Sequence, residues 1–150
     1  MKGSFTEEKM RFLDANVMVY AYYRPRRELT EREKLFKDEA KQIVKGISEG
    51  KISVVTSVVH ISEMVNALKH GTSLTQLVVM VRGLFMLDNV EILDVSRDEC
   101  FAATELASEL DLDPNDALAV QVMRSKNIEE ICSFDLDLDK VEGVVRFPAI

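Results

Sequence analysis

Apolar positions along the chain fall into two alternating patterns. Short runs rich in β-branched and aromatic residues occur at Met10 to Leu13, Ile52 to Val55, Val90 to Asp94, Glu130 to Phe134 and Val144 to Phe147. Each has the length of a strand. Between them apolar residues recur every three or four positions, which is the spacing of one helix face. Thr30 with Glu33 is a capping-box pair, and it opens a helix to about Ser48 with Leu35, Phe36, Ala40, Ile43, Val44 and Ile47 on one side. Gly50 suits its stop. Ser57 caps a helix to about His70, stopped by Gly71, with His70 in the last turn where the helix dipole favours it. Leu74 to Leu87 is a further helix, apolar enough for burial on more than one side. Ser96 with Glu99 opens another to Leu110. Asp113-Pro114 starts the last, to about Ser125, with proline at the first helical position. Val17 to Tyr23 reads as a short helix or turn. Strands alternating with helices of about 10 to 18 residues predict βαβ units, hence an α/β fold with a mostly parallel sheet of four to five strands.

Composition adds bounds. A chain of 150 residues, 30% of them charged, is expected to be one domain over 1–150 with a proper core. Residues 1–9, which precede the first strand, are expected to form a flexible extension. No apolar stretch approaches the roughly 18 residues of a membrane span. The polar start MKGSFTEEK lacks the apolar centre of a secretory signal. No membrane association and a cytoplasmic location are therefore expected. Cys100 and Cys132 form no zinc-type or redox pair and are read as two buried free thiols. A net charge of −7 excludes a protein that grips nucleic acid by bulk positive field. It does not exclude a nuclease, because bound metal ions invert local charge.

Four acids change the picture. Asp14 and Asp135 each follow an apolar strand. Glu63 lies in the helix after the second strand, and Asp116 in the first turn of its own helix. In open α/β sheets the ligand crevice lies at the carboxyl ends of the strands, so all four can line one crevice. Each has a plainer reading: Asp116 as a helix cap, Asp14 as a turn residue with Asn16, Glu63 as a solvated helix position, Asp135 as part of a solvated loop with Asp137 and Asp139. Joint placement on one sheet edge favours a site. Two carboxylates about 5 Å apart repel by roughly 3 kcal/mol at an effective dielectric near 20, and a divalent cation removes that cost. Oxygen ligands without histidine or cysteine select Mg²⁺ or Mn²⁺, and such a site suits phosphoryl chemistry. Asp137 is kept with the four as a metal ligand. Arg24, Arg26 and Arg27, around Pro25, are candidate RNA phosphate contacts or a solvated loop. His60 and His70 accompany no nucleophile motif, and no glycine-rich phosphate loop is present.

The segments FLDANVMVYAY, SVVHISEMVNAL, DPNDALAVQVM and SFDLDLDKVEGV, in this order, resemble the PIN-domain family, and within it the VapC-type toxins of toxin–antitoxin pairs. The resemblance covers about Met10 to Phe147. It implies a PIN-like three-layer α/β/α fold and a metal-dependent ribonuclease leaving a 5′-phosphate and a 3′-hydroxyl. Asp14, Glu63, Asp116 and Asp135 match the family's four acids. Asn16 and Ser133 match its supporting polar positions, and the neighbouring Asp137 and Asp139 blur the fourth acid. The resemblance further implies a homodimer and a small cognate antitoxin protein. A PIN-type nuclease of RNA processing or decay, and a non-catalytic PIN-like binding domain, are the alternatives. A phosphoacceptor domain fits poorly, because Ala15 stands where it needs a second acid.

Overall fold

In the computed structural model, which describes residues 9–150, strand β1 (Met10–Leu13) is the centre of a five-stranded, wholly parallel sheet. The chain continues through α1 (Ala15–Tyr22), α2 (Glu31–Ser48), β2 (Ser53–Ser57), α3 (Val58–Leu68), α4 (Leu74–Met86) and β3 (Val90–Leu93). It then forms α5 (Arg97–Leu110), α6 (Pro114–Ser125), β4 (Glu130–Cys132), a 3-10 turn (Leu136–Lys140) and β5 (Val145–Phe147). The strand order is β3-β2-β1-β4-β5. The order reverses between β1 and β4, so their carboxyl ends form the crevice where such sheets bind ligands. The expected extension over 1–9 falls, Lys9 apart, outside the described residues.

Alternation along the strands splits the core into two layers. Leu13, Val54 and Cys132 pack with α1, α2 and part of α3 on one face. Phe12, Val55 and Ile131 pack with α5 and α6 on the other. Successive side chains of a strand point to opposite faces, so one sheet is buried on both sides and the fold is three-layered α/β/α. Helices α2, α3, α5 and α6 start where the sequence places their caps. Thr30 and Ser96 each close a full capping box, with Glu33 and Glu99. Ser57, Ser73 and Asp113 each accept a first-turn amide. Gly50 has φ +75°, a left-handed conformation glycine adopts without steric cost, and it ends α2.

Several expectations are corrected. β2 begins one residue later than expected and runs on to Ser57, because its pairing with β3 continues through Ser57 opposite Leu93. β4 stops at Cys132, so Asp135 stands beyond a short connection and not at the strand end. Cys100 is exposed while Cys132 is buried; Cys100 lies near the start of α5, whose buried positions are Ala103 and Ala107. His70 is past the end of α3, whose C-cap is Lys69. Helix α4 buries only Leu77 and Leu84. Leu74, Val79, Phe85 and Met86 are more than half exposed, so its surplus apolar surface faces outward. Among the described residues no helix is long and apolar enough to cross a membrane.

Candidate active site

Asp14 follows β1 directly. Its backbone amide donates to the Cys132 carbonyl at 3.0 Å, and Thr56 Oγ1 donates to the Leu13 carbonyl at 2.9 Å. β2 and β4 thus hold the end of β1 from both sides. Asp14 is the N-cap residue of α1, yet its side chain closes no cap hydrogen bond. It is 4% exposed. Ser133 Oγ donates to its Oδ2 at 2.7 Å. Burial raises the carboxyl to about 6, the Ser133 hydroxyl opposes that rise, and the charge of Asp135 adds to it.

Ser133 is a junction. Its oxygen also accepts the Asp135 amide at 3.0 Å and Asn16 Nδ2 at 3.3 Å. Asn16 Oδ1 accepts the Phe134 amide at 3.2 Å. The connection after β4 is therefore folded around two side chains, which present Asp135 beside Asp14. Asp135 caps the 3-10 turn by accepting the Asp137 amide at 3.0 Å.

The other two acids come from helices. Glu63 is raised to about 7 by burial first, then by the charge of Asp14, with the Asn115 amide group opposing. Asn115 Nδ2 donates to Glu63 Oε1 at 3.2 Å. Asp116 is raised further, by burial first and then by a shared hydrogen bond with the Asp135 carboxyl and the charges of Asp14, Asp135 and Asp113. Two carboxyls in such contact hold a proton between them, since both cannot be charged cheaply.

The structure thus brings Asp14, Glu63, Asp116 and Asp135 into one electrostatic cluster at the sheet's switch point. Among the described residues none of the four is in an ion pair. The side chains converge without closing: among the described residues no three acidic, histidine or cysteine groups are drawn into a ready ligand sphere. An all-oxygen set, short of cationic partners and holding protons against its own repulsion, fits a hard divalent cation.

Asp137 and Asp139 stand apart from the four. Asp137 is exposed, and it meets Asp135 through its backbone amide. Asp139 is engaged by the buried Arg146, with Nε at 3.0 Å and Nη2 at 3.3 Å. Arg27 makes a paired contact with Glu33 at 2.7 and 2.8 Å. Arg24 and Arg26 are exposed; Arg24 borders clefts lined by α4 and α2 residues, not by the acids.

Three contributors are not legible as site residues in the sequence. Asp113 adds negative charge against Glu63 and Asp116. Asn115 holds Glu63, and its place directly before Asp116 is the signal that could have found it. Arg32, on the first turn of α2, lines an open groove of about 380 Å³ with Tyr20, Phe134, Asp135 and Asp137. It stands at the cluster's edge, as none of the three candidate arginines does. A second shallow cleft of about 550 Å³ is lined by Val59, Ser62, Glu63, Asn66, Ala67 and Asn115. Acidic residues therefore belong to both grooves.

A family model described as PIN domain matches residues 11–144. No curated protein sequence matches significantly. Among solved structures the chain is similar to VapC20 of Mycobacterium tuberculosis, a Sarcin-Ricin loop cleaving toxin. That likeness has a TM-score of 0.62 and 20% identity over 86% of this chain and 92% of that one. It is also similar to VapBC2 from Rickettsia felis, bound to a DNA fragment from its promoter, at TM-score 0.59 and 16% identity over 91% and 96%. PAE2754 from Pyrobaculum aerophilum follows at 0.58 and 17% over 93% and 89%. At these identities the likeness is one of fold.

Proposed function

Because the chain belongs to the PIN-domain family, we propose that it is a divalent-metal-dependent endoribonuclease, the toxin of a VapBC-type toxin–antitoxin pair. The observation that carries this reading is the cluster of Asp14, Glu63, Asp116 and Asp135 at the switch point, with protons held by burial and mutual repulsion.

In this reading the four acids hold Mg²⁺ or Mn²⁺, which supplies water activation and charge neutralisation for phosphodiester hydrolysis when bound. Ser133 and Asn16 fix Asp14 and the backbone that presents Asp135. Asn115 orients Glu63. Asp116 and Asp135 would hold the cation as carboxylates, without the proton that they share in its absence. Arg32 and the open groove beside Asp135 receive RNA phosphate, and Arg24, Arg26 and Arg27 extend that contact along the loop after α1. The exposed apolar positions of α4 support a protein interface, with a second copy of the chain or with an antitoxin. A cytoplasmic site of action goes with this role.

The test is cleavage of tRNA and rRNA with Mg²⁺ or Mn²⁺ titrated in. Cleavage is expected with the wild type, lost with EDTA and in Asp14→Asn. Full activity in excess chelator, or in the variant, overturns the reading. A nuclease of RNA processing or decay shares this chemistry, and toxicity on expression, relieved by a co-expressed antitoxin, separates the two roles.

A further inference from the structure

Near the acids one buried histidine makes a complete set of hydrogen bonds that the chemistry above does not use. His60 is 1% exposed and lies edge-on to Phe12, with ring centroids 4.9 Å apart. It sits in the first turn of α3. Its Nδ1 is 2.7 Å from Ser57 Oγ, and Ser57 Oγ also accepts the His60 backbone amide at 3.2 Å. Its Nε2 is 3.0 Å from the backbone carbonyl of Asn115. A carbonyl only accepts, so Nε2 carries the proton. In the neutral ring Nδ1 then accepts from the Ser57 hydroxyl. Burial lowers the proton affinity of the ring, which keeps it neutral.

These bonds make a closed bracket. His60 and Glu63 are three residues apart on α3, hence on one helix face. His60 reaches across to the carbonyl of Asn115, at the start of α6. Asn115 Nδ2 reaches back to Glu63 Oε1 at 3.2 Å. The residue after Asn115 is Asp116. Two acids on separate helices are thus spaced by one imidazole and one carboxamide.

We infer that His60 is a positioning residue, which through Asn115 fixes Glu63 relative to Asp116 and so sets the cation affinity of the site. The inference rests on the proposed metal-dependent reading. Partners of metal ligands commonly change affinity by about 10–100-fold when removed. Loss of the Nε2 donor removes a tie from α3 to the backbone at the start of α6, where the Asn115 carbonyl keeps its own helix hydrogen bond.

The experiment measures Mn²⁺ affinity by electron paramagnetic resonance on the whole chain, with the apo melting temperature recorded for each variant. His60→Leu, which removes the donor, and Asn115→Ala, which cuts only the link to Glu63, are each expected to weaken Mn²⁺ binding by about tenfold or more. His60→Gln, which keeps a side-chain N–H able to reach the carbonyl, is expected to retain most of the wild-type affinity. Nitrogen-15 correlation spectra of the wild type are expected to show the neutral Nε2–H tautomer. Wild-type affinity in Asn115→Ala or in folded His60→Leu overturns the inference, as does a Gln variant no better than Leu, which reduces His60 to packing. If His60→Leu does not fold, Asn115→Ala and His60→Gln decide. A wild-type chain that takes up no Mn²⁺ overturns the metal reading itself and this inference with it.

Discussion

Ser133 Oγ donates to Asp14 Oδ2 at 2.7 Å while accepting the amide of Asp135 at 3.0 Å. One hydroxyl therefore holds the firmest acid of the cluster and the backbone of another. A buried carboxylate that loses a hydrogen bond becomes harder to ionise, and a buried amide left unpaired costs about 1–3 kcal/mol. Ser133→Ala is expected to destabilise the protein by about 1–2 kcal/mol and to weaken Mg²⁺ binding. Chemical denaturation and cation titration of the variant check this; unchanged values for both would show that the hydroxyl supports neither acid.

The cluster also sets a pH dependence. Asp14 rises from 3.8 to about 6 and Glu63 from 4.5 to about 7 on folding. Between about pH 4 and pH 7 the folded chain therefore holds more protons than the unfolded one, and stability falls as pH rises through that window. The stabilisation is fully present below the unfolded values and lost above the folded ones. For fully buried Asp14 the term is about 3 kcal/mol. Glu63 is only half buried and contributes less, and Asp116 extends the decline upward. In chelator, the melting temperature is expected to drop from pH 5 to pH 8 and to recover on adding Mg²⁺ at pH 8. An apo melting temperature that is flat or rising over that range would contradict the clustering.

Much of this was readable in the sequence because the signals were local. Thr30 with Glu33, Ser96 with Glu99, and Asp113-Pro114 state helix starts in a few residues each. The short apolar runs and the 3.6-residue patterns name the layers, and the acids sit at element ends that a parallel sheet gathers at one edge. What escaped depends on contacts between distant segments. That Ser133 joins Asp14 to Asp135 requires knowing that β4 lies beside β1. The bracket from His60 to Asn115 spans 55 residues, and no periodicity reports it. The surplus apolar surface of Leu74 to Leu87 is legible in the sequence, but what covers it is not. An apolar helix looks the same in sequence whether the core or a partner covers it. Cys100 was placed inside by its apolar neighbour Phe101, which is itself 63% exposed.

The acidic run after β4 offers three carboxylates for the fourth position, and their surroundings separate them. Asp135 shares a hydrogen bond with Asp116, Asp137 is exposed, and Asp139 is held by Arg146. Asp135→Asn is expected to lower Mn²⁺ affinity by an order of magnitude or more, in line with loss of a direct ligand or its partner. Asp137→Asn should have little effect. Asp139→Asn should leave cation binding intact and instead lower stability, because Arg146, 8% exposed, loses its carboxylate partner. Binding isotherms for the three variants would show a different fourth ligand if Asp137→Asn or Asp139→Asn were the one that weakened binding.

Asp116 and Asp135 are the pair in which repulsion and metal binding trade most directly. Burial and the neighbouring carboxylates, Asp135 first among them, raise the Asp116 carboxyl far above its ordinary range, so the apo chain favours its protonated form. A carboxamide at Asp116 takes no charge, can donate to Asp135 permanently, and preserves the side-chain shape. Asp116→Asn is therefore expected to melt higher than the wild type in chelator at pH 8, and by less at pH 5, where the unfolded chain is closer to taking up the same proton and holding it costs the wild type less. The order should reverse in excess Mg²⁺, since a ligand bound only by the folded state stabilises it by about 2.7 kcal/mol at a hundredfold excess over its dissociation constant, and the variant loses that gain. RNA cleavage should be absent in the same protein. Melting curves at both pH values, with and without the cation, give the four comparisons, and a variant that melts lower than the wild type in chelator at pH 8 would mean that Asp116 serves the fold as a helix-start residue.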